Sequence, residues 1–162
     1  MRKINNPYNY LPNYNCFACS PFNTKGLKMI FWEEEEEILC NWVLDKYFQG
    51  YPGILHGGIQ ATLLDEISSW LVNVKLKTAG FTEKLNVQYI KPVRLNEGEA
   101  ITLRAKLVEV KDNIAIVNAL LFNKSGVLCT QAEVHYFIYP ENIAKKKFNY
   151  PGYEAFINDD IE

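Results

Sequence analysis

The sequence predicts an α+β domain in which one long helix follows the second of six antiparallel strands. Three observations carry this. Apolar residues recur at three- and four-residue spacings in one stretch, through Ile59, Leu63, Ile67, Trp70, Leu71 and Val74, the period of a helix face. On both sides of it lie apolar, β-branched and aromatic runs bounded by turn residues, the pattern of strands. The later runs are joined by short turns, which favour antiparallel neighbours. A chain of 162 residues with 48% hydrophobic residues forms a single domain, 1–162, and can remove roughly 70% of its unfolded surface from water.

Residues 1–25 are rich in Asn, Pro and Tyr and read as an irregular arm. The first strand is expected over 27–32 and the second over 38–44. The five glutamates between them, 33–37, form a solvated hairpin tip; they lack the spaced ligands of a calcium loop. Residues 48–53, with Gly50, Pro52 and Gly53, are a loop. The helix begins near His56 and ends before Gly80, about 20 residues and roughly 30 Å long. Strands follow over 83–93 (Leu85, Val87 and Tyr89 on one face), 100–110, 114–122 and 127–139, with turns at 112–113 and 123–126. From Glu141 to Glu162 the chain is polar, with Lys145, Lys146 and Lys147 and an acidic stretch at 159–162, and reads as a solvated tail. Tyrosines near both ends (Tyr8, Tyr10, Tyr14; Tyr136, Tyr139, Tyr150, Tyr153) suit segments that lie down on the domain.

Charge and hydropathy exclude several functions. Lys plus Arg is 17 and Asp plus Glu is 19, so no basic excess exists for a nucleic-acid backbone. No apolar run approaches the ~20 residues that span a bilayer. Met1-Arg2-Lys3 runs into Asn5, Asn6 and Pro7, unlike a leader, so a cytoplasmic protein is expected, with its four cysteines as thiols.

The segment 48–66 carries the chemistry. Gly57 and Gly58 disfavour a helix start, but glycine admits close approach of a ligand, and free N–H groups at a helix N-terminus receive negative charge. That is the equipment of an oxyanion hole. Asp65 lies nine residues after His56 and roughly opposite the Ile59/Leu63/Ile67/Val74 stripe. Its neighbours Ala61, Ser68 and Ser69 are small and leave room for another chain or a thin substrate. A partly desolvated carboxylate there suits base or nucleophile work; equally, it is an acid placed by the helix dipole. Glu66, at the edge of the stripe, is the second candidate.

Gln49-Gly50-Tyr51-Pro52-Gly53-Ile54-Leu55-His56-Gly57-Gly58, followed by Ala61-Thr62-Leu63-Leu64-Asp65, resembles the hotdog-fold acyl-CoA thioesterases. The branch is the one that includes the phenylacetate-pathway thioesterase and the thioesterase superfamily members of animals. Residues 82–93 resemble its strand after the helix. Cys16-Phe17-Ala18-Cys19 with Asn23 and Gly26-Leu27-Lys28 resembles its N-terminal segment. The resemblance implies a hotdog fold, an antiparallel sheet wrapped around one long central helix, in a homo-dimer or tetramer with active sites between subunits. It implies that Asp65 attacks the thioester or activates water, that the Gly57 N–H holds the thioester oxygen, and that His56 shapes the site. Gln49 matches an amide in the preceding loop, and Thr82 a hydroxyl that positions water. Ser69, one turn after Asp65, takes a similar role, and Gly58 joins the substrate-binding residues. No cofactor is implied.

The chain has no glycine-rich phosphate loop, so the CoA phosphates are expected at surface cations: Lys91 and Arg94 flanking Pro92, then Lys124. Other readings stand beside these. His56 also reads as a helix cap, Thr82 as an ordinary strand residue, and His135 as a half-exposed strand residue. Cys16 and Cys19 could be half of a zinc site completed by Cys40, Cys129 or His135, but no second tight pair exists, and no metal is expected. Besides thioester hydrolysis, a non-catalytic acyl-CoA-binding module and a hotdog enoyl-CoA hydratase or dehydratase share this frame.

Overall fold

In the computed structural model, which describes residues 1–157, a seven-stranded antiparallel sheet curls round one helix. The strands are β1 (Arg2–Lys3), β2 (Trp32–Glu34), β3 (Glu37–Val43), β4 (Gly80–Tyr89), β5 (Ala100–Lys111), β6 (Ile114–Phe122) and β7 (Leu128–Ile138), in the order β1-β2-β3-β5-β6-β7-β4. The central helix α1 spans Gly57–Lys75 and packs on β3 to β7. Leu63, Leu64, Ile67 and Leu71 are fully buried. Facing them, β6 offers Ala115, Val117, Ala119 and Leu121, and β5 offers Leu103 and Ala105. The alanines let the helix axis approach the sheet, while each large side chain contributes about 1.5–3 kcal/mol by leaving water. The buried face is wider than the periodicity implied: Ser68 is fully buried, its hydroxyl donating to Leu64 O at 2.7 Å.

Four boundaries differ from the sequence expectations, each because of long-range partners. The arm is not wholly irregular: β1 adds a seventh strand, paired with β2. Residues 27–31 alternate buried and exposed as a strand would, yet they bond to the arm, Leu27 N to Phe17 O at 2.8 Å and Met29 N to Ala18 O at 2.9 Å, so the strand itself begins at Trp32. The glutamate run is mostly paired rather than solvated. Only Glu35 and Glu36 form the turn. Lys75 Nζ lies 2.6 Å from Glu33, which also meets Arg2, and Arg104 lies between Glu34 and Glu37. β4 starts at Gly80 and ends at Tyr89, ahead of the expected 83–93.

The tail past Glu141 is not solvated over its described part. It forms α2 (Glu141–Phe148) and α3 (Glu154–Ile157), with Ala144, Tyr150 and Phe156 buried; the acidic stretch 159–162 lies outside the described residues. Phe156 sits in an aromatic cluster, 5.9 Å from Tyr8, 5.7 Å from Trp70 and 5.8 Å from Tyr150 between ring centroids. Tyr8, Tyr14 and Tyr150 do lie down on the domain, whereas Tyr10 is exposed. The edge strand β4 and its exit leave Phe81, Tyr89 and Ile90 exposed. Among the described residues no helix is long and apolar enough to cross a membrane.

Candidate active site

Asp65 sits in the third turn of α1, half-buried between β4 and β7. Thr82 Oγ1 donates to its Oδ1 at 2.8 Å, and the Tyr136 hydroxyl lies 2.7 Å from the same oxygen and from the Asp65 carbonyl. Burial, reinforced by the Asp65 charge, holds the Tyr136 phenol well above its ordinary range, so it stays protonated and donates. Thr82 and Tyr136 are opposite one another in the β4–β7 ladder. That pairing depends on a β-bulge. Thr82 pairs with Tyr136 and Lys84 with His135, so Glu83 is an extra residue. Inward positions are even before it (Gly80, Thr82) and odd after it (Leu85, Val87). The bulge therefore aims Thr82 at the helix, as bulges beside functional groups often do.

A second feature lies at the start of α1. His56 is the N-cap, with Nδ1 accepting from Gly58 N at 2.9 Å, which leaves the neutral ring's proton on Nε2. The capping ring also lines a cavity of about 700 Å³ with Gln49, Gly57, Gln60, Tyr89 and Lys91. The cap uses the Gly58 N–H, which removes that group as a substrate donor. The Gly57 N–H, at the first helical position, has no acceptor within the helix. Gly50 makes room for the imidazole: a Cβ there would lie 3.3 Å from His56 Cα and Cδ2.

Two residues of this cavity escaped the sequence reading. Tyr89 packs on Gly57 and donates to its carbonyl at 2.7 Å. Gln60 is buried, donating to Leu55 O at 2.9 Å and accepting from the Thr130 hydroxyl, so it fixes the loop before the helix to β7. Only its lack of a hydrophobic role on an otherwise apolar helix side could have marked it.

The structure does not bring all the expected residues to one place. Asp65 does not line the Gly57 cavity; eight residues of helix put it about 12 Å further along the axis. Of the cations, exposed Lys91 is at the cavity mouth. Arg94 and Lys124 line a separate hollow across Pro92, where Lys124 pairs with Glu99 at 2.8 Å. Ser69 lines neither. It faces a smaller cavity behind Asp65, with Glu66, Cys16, Cys19 and Tyr136. Glu66 is turned away from the Asp65 cluster: its Oε1 accepts from Trp70 Nε1 at 3.0 Å and lies 3.8 Å from Cys16 Sγ. Burial, then the neighbouring Cys16, pushes its carboxyl up to about 7. A hydrogen bond shared between the two thiols lowers that of Cys16 and raises that of Cys19. His135 pairs with Glu133 at 2.8 Å on the strand, away from the cysteines.

A seven-stranded antiparallel sheet curled on one long helix is a frame shared with thioesterases of known structure. Known proteins agree. The sequence model of the thioesterase superfamily matches residues 52–130. Acyl-coenzyme A thioesterase 13 of Mus musculus is 30% identical over 98 residues, 59% of this chain and 69% of that protein. A thioesterase superfamily protein of solved structure superposes with a TM-score of 0.67 at 26% identity, over 74% of this chain and 58% of that one. A hypothetical thioesterase protein of Streptococcus pneumoniae TIGR4, solved with coenzyme A, has the same fold (TM-score 0.63, 20% identity, 68% of this chain and 88% of that one). The chain belongs to the thioesterase superfamily.

Proposed function

We propose that the protein hydrolyses an acyl-CoA thioester at a site that two copies of the chain complete. The observation that carries the reading is the Asp65 carboxylate, held between Thr82 and Tyr136 yet half open to solvent. The relatives with acyl-coenzyme A in their names and the fold neighbour solved with coenzyme A support the substrate class.

In this reading the thioester carbonyl oxygen lies against the Gly57 N–H at the positive end of α1, which stabilises the charge that forms on it. Asp65 attacks the carbonyl carbon, or takes a proton from a water that does. The C–S bond then breaks and the electron pair leaves on the CoA sulfur; a thiolate leaves without a strong general acid. If Asp65 attacks directly, water later cleaves the acyl-aspartyl anhydride. Thr82 and Tyr136 orient the carboxylate, and Gln49 and the His56 Nε2–H line the approach. Lys91 meets the phosphates at the cavity mouth.

The second copy follows from distance. About 12 Å of helix separates Asp65 from Gly57 within one chain, too far for one carbonyl to meet both. The exposed Phe81, Tyr89 and Ile90 along the unpaired β4 edge provide a surface for the partner. The test is thiol release from a panel of acyl-CoAs, with light scattering on the same sample. Asp65→Asn should lower kcat on the order of 100-fold or more with the fold intact. Near-normal hydrolysis by a folded Asp65→Asn protein, or a fully active monomer, would refute the arrangement. Hydration of an enoyl-CoA without thiol release would favour a hydratase instead.

A further inference from the structure

We propose that Cys16, Cys19 and Glu66 form a binding site for one borderline-soft divalent cation, of which Zn²⁺ is the type, tying the N-terminal arm to α1. The two Sγ atoms and a Glu66 carboxylate oxygen all lie within 4.8 Å of one another. Tetrahedral zinc, with Zn–S near 2.3 Å and Zn–O near 2.1 Å, needs its ligand atoms about 3.5–3.8 Å apart. The Cys16 Sγ–Glu66 Oε1 separation is already 3.8 Å, so only a contraction of about 1 Å elsewhere is required.

The groups around the three ligands are arranged as outer partners of a metal site are. The Cys19 backbone N–H points at Cys16 Sγ at 3.4 Å, a contact that stabilises a thiolate. The Tyr14 hydroxyl lies 3.0 Å from Cys19 Sγ. The Trp70 indole N–H holds Glu66 Oε1 at 3.0 Å and so fixes the carboxylate's direction. Every ligand therefore has a hydrogen-bonded partner of its own. A cavity of about 330 Å³, lined by Tyr14, Cys16, Cys19, Glu66 and Ser69, gives the ion a route in and a water its fourth position. The sequence offers Cys40, Cys129 or His135 to complete the Cys16/Cys19 pair and shows no second tight pair. Cys129 bonds instead to Val127 O and His135 to Glu133, and the third ligand comes from the helix.

Binding releases to solvent whatever protons the two thiols and the Glu66 carboxyl carry and leaves the cation held by two thiolates and a carboxylate. The site lies beside the Asp65 cluster but shares no ligand with it: Glu66 Oε1 turns to Trp70 and Cys16, whereas Asp65 Oδ1 accepts from Thr82 and Tyr136.

The experiment uses the full chain, reduced and stripped with a chelator, titrated with Co²⁺. We expect a thiolate-to-cobalt charge-transfer band that saturates at one ion per chain, is displaced by Zn²⁺, and is accompanied by a rise in Tm on adding Zn²⁺. Cys16→Ser and Glu66→Gln should each weaken Zn²⁺ binding on the order of 100-fold, with far-ultraviolet circular dichroism unchanged. Zn²⁺ should also protect Cys16 and Cys19 of the unaltered protein from alkylation, a readout that needs no folded variant. The absence of a charge-transfer band at one equivalent of Co²⁺ would overturn the proposal. So would a band that survives Cys16→Ser, or alkylation of both thiols undiminished by Zn²⁺.

Discussion

Replacing Tyr136 with phenylalanine should separate positioning of the carboxylate from everything else in the site. The ring stays and only the hydroxyl goes, so the core around β7 is not emptied. What is lost is one hydrogen bond to an ionised group, generally worth about 1.5–3 kcal/mol. Asp65 is half open and keeps Thr82 at 2.8 Å, so water recovers part of the loss and the lower end, about 1.5–2 kcal/mol, applies. In stability this is roughly 3–8 °C of Tm for a chain of this size. If the same energy is lost from the transition state, kcat falls about 10- to 30-fold. The Michaelis constant should hold, because Tyr136 does not line the cavity at Gly57. Because the phenol is held well above its ordinary range, the ratio of wild type to variant should stay flat from neutral pH to about pH 10. Steady-state kinetics and calorimetry on Tyr136→Phe, with Thr82→Val as its companion, provide the measurement. A Tyr136→Phe protein with unchanged kcat would show that the hydroxyl does not position the carboxylate.

Three further outcomes are expected. Gly80→Ala should destabilise the start of β4, since the added Cβ would lie 1.9 Å from Phe137 O and the backbone must move; hydrogen exchange should report loss of protection at Thr82. Lys91→Ala should raise the Michaelis constant for an acyl-CoA a few-fold at low salt, and the difference should vanish in high salt, where an exposed charge is screened. Stability should decline as pH rises past about 10. The unfolded chain's tyrosines ionise there, while Tyr136, Tyr8 and Tyr150, with pKa values raised by burial, keep their protons in the fold, so the unfolded state gains.

The helix was legible because its apolar period persists over about 20 residues, long enough for the face to declare itself. Asp65 was placed by that same count, and Gly57 by the conflict between glycine and helix propensity. Thr82 was reached only through family resemblance. Strict alternation sets it on the face opposite Leu85, and nothing in Phe81-Thr82-Glu83-Lys84 announces the extra residue that brings them together. Tyr136 reads in the sequence only as one of the tyrosines near the chain ends that lie down on the domain, since its role depends on a partner 71 positions away. Distance along the chain hid the rest too. The two-residue β1 exists because Arg2 and Lys3 meet Glu33 and Trp32. Glu66 joins Cys16 across 50 positions, which is why the cysteine pair looked incomplete.

The aromatic cluster around Phe156 has a consequence for the order of folding. Strands β2 to β7 and the packing of α1 on β3 to β7 lie within residues 32–138, so a nascent chain can assemble them as soon as β7 is free of the ribosome. The contacts that Trp70, Tyr8 and the backbone N–H of Asn5 make with residue 156 form later, Asn5 N bonding to Phe156 O at 3.0 Å. Until then the N-terminal arm, though made first, lacks the Phe156 side of its aromatic cluster. A chain emerging from the ribosome can thus close its sheet on the helix before Phe156 arrives to complete the aromatic cluster that covers the arm.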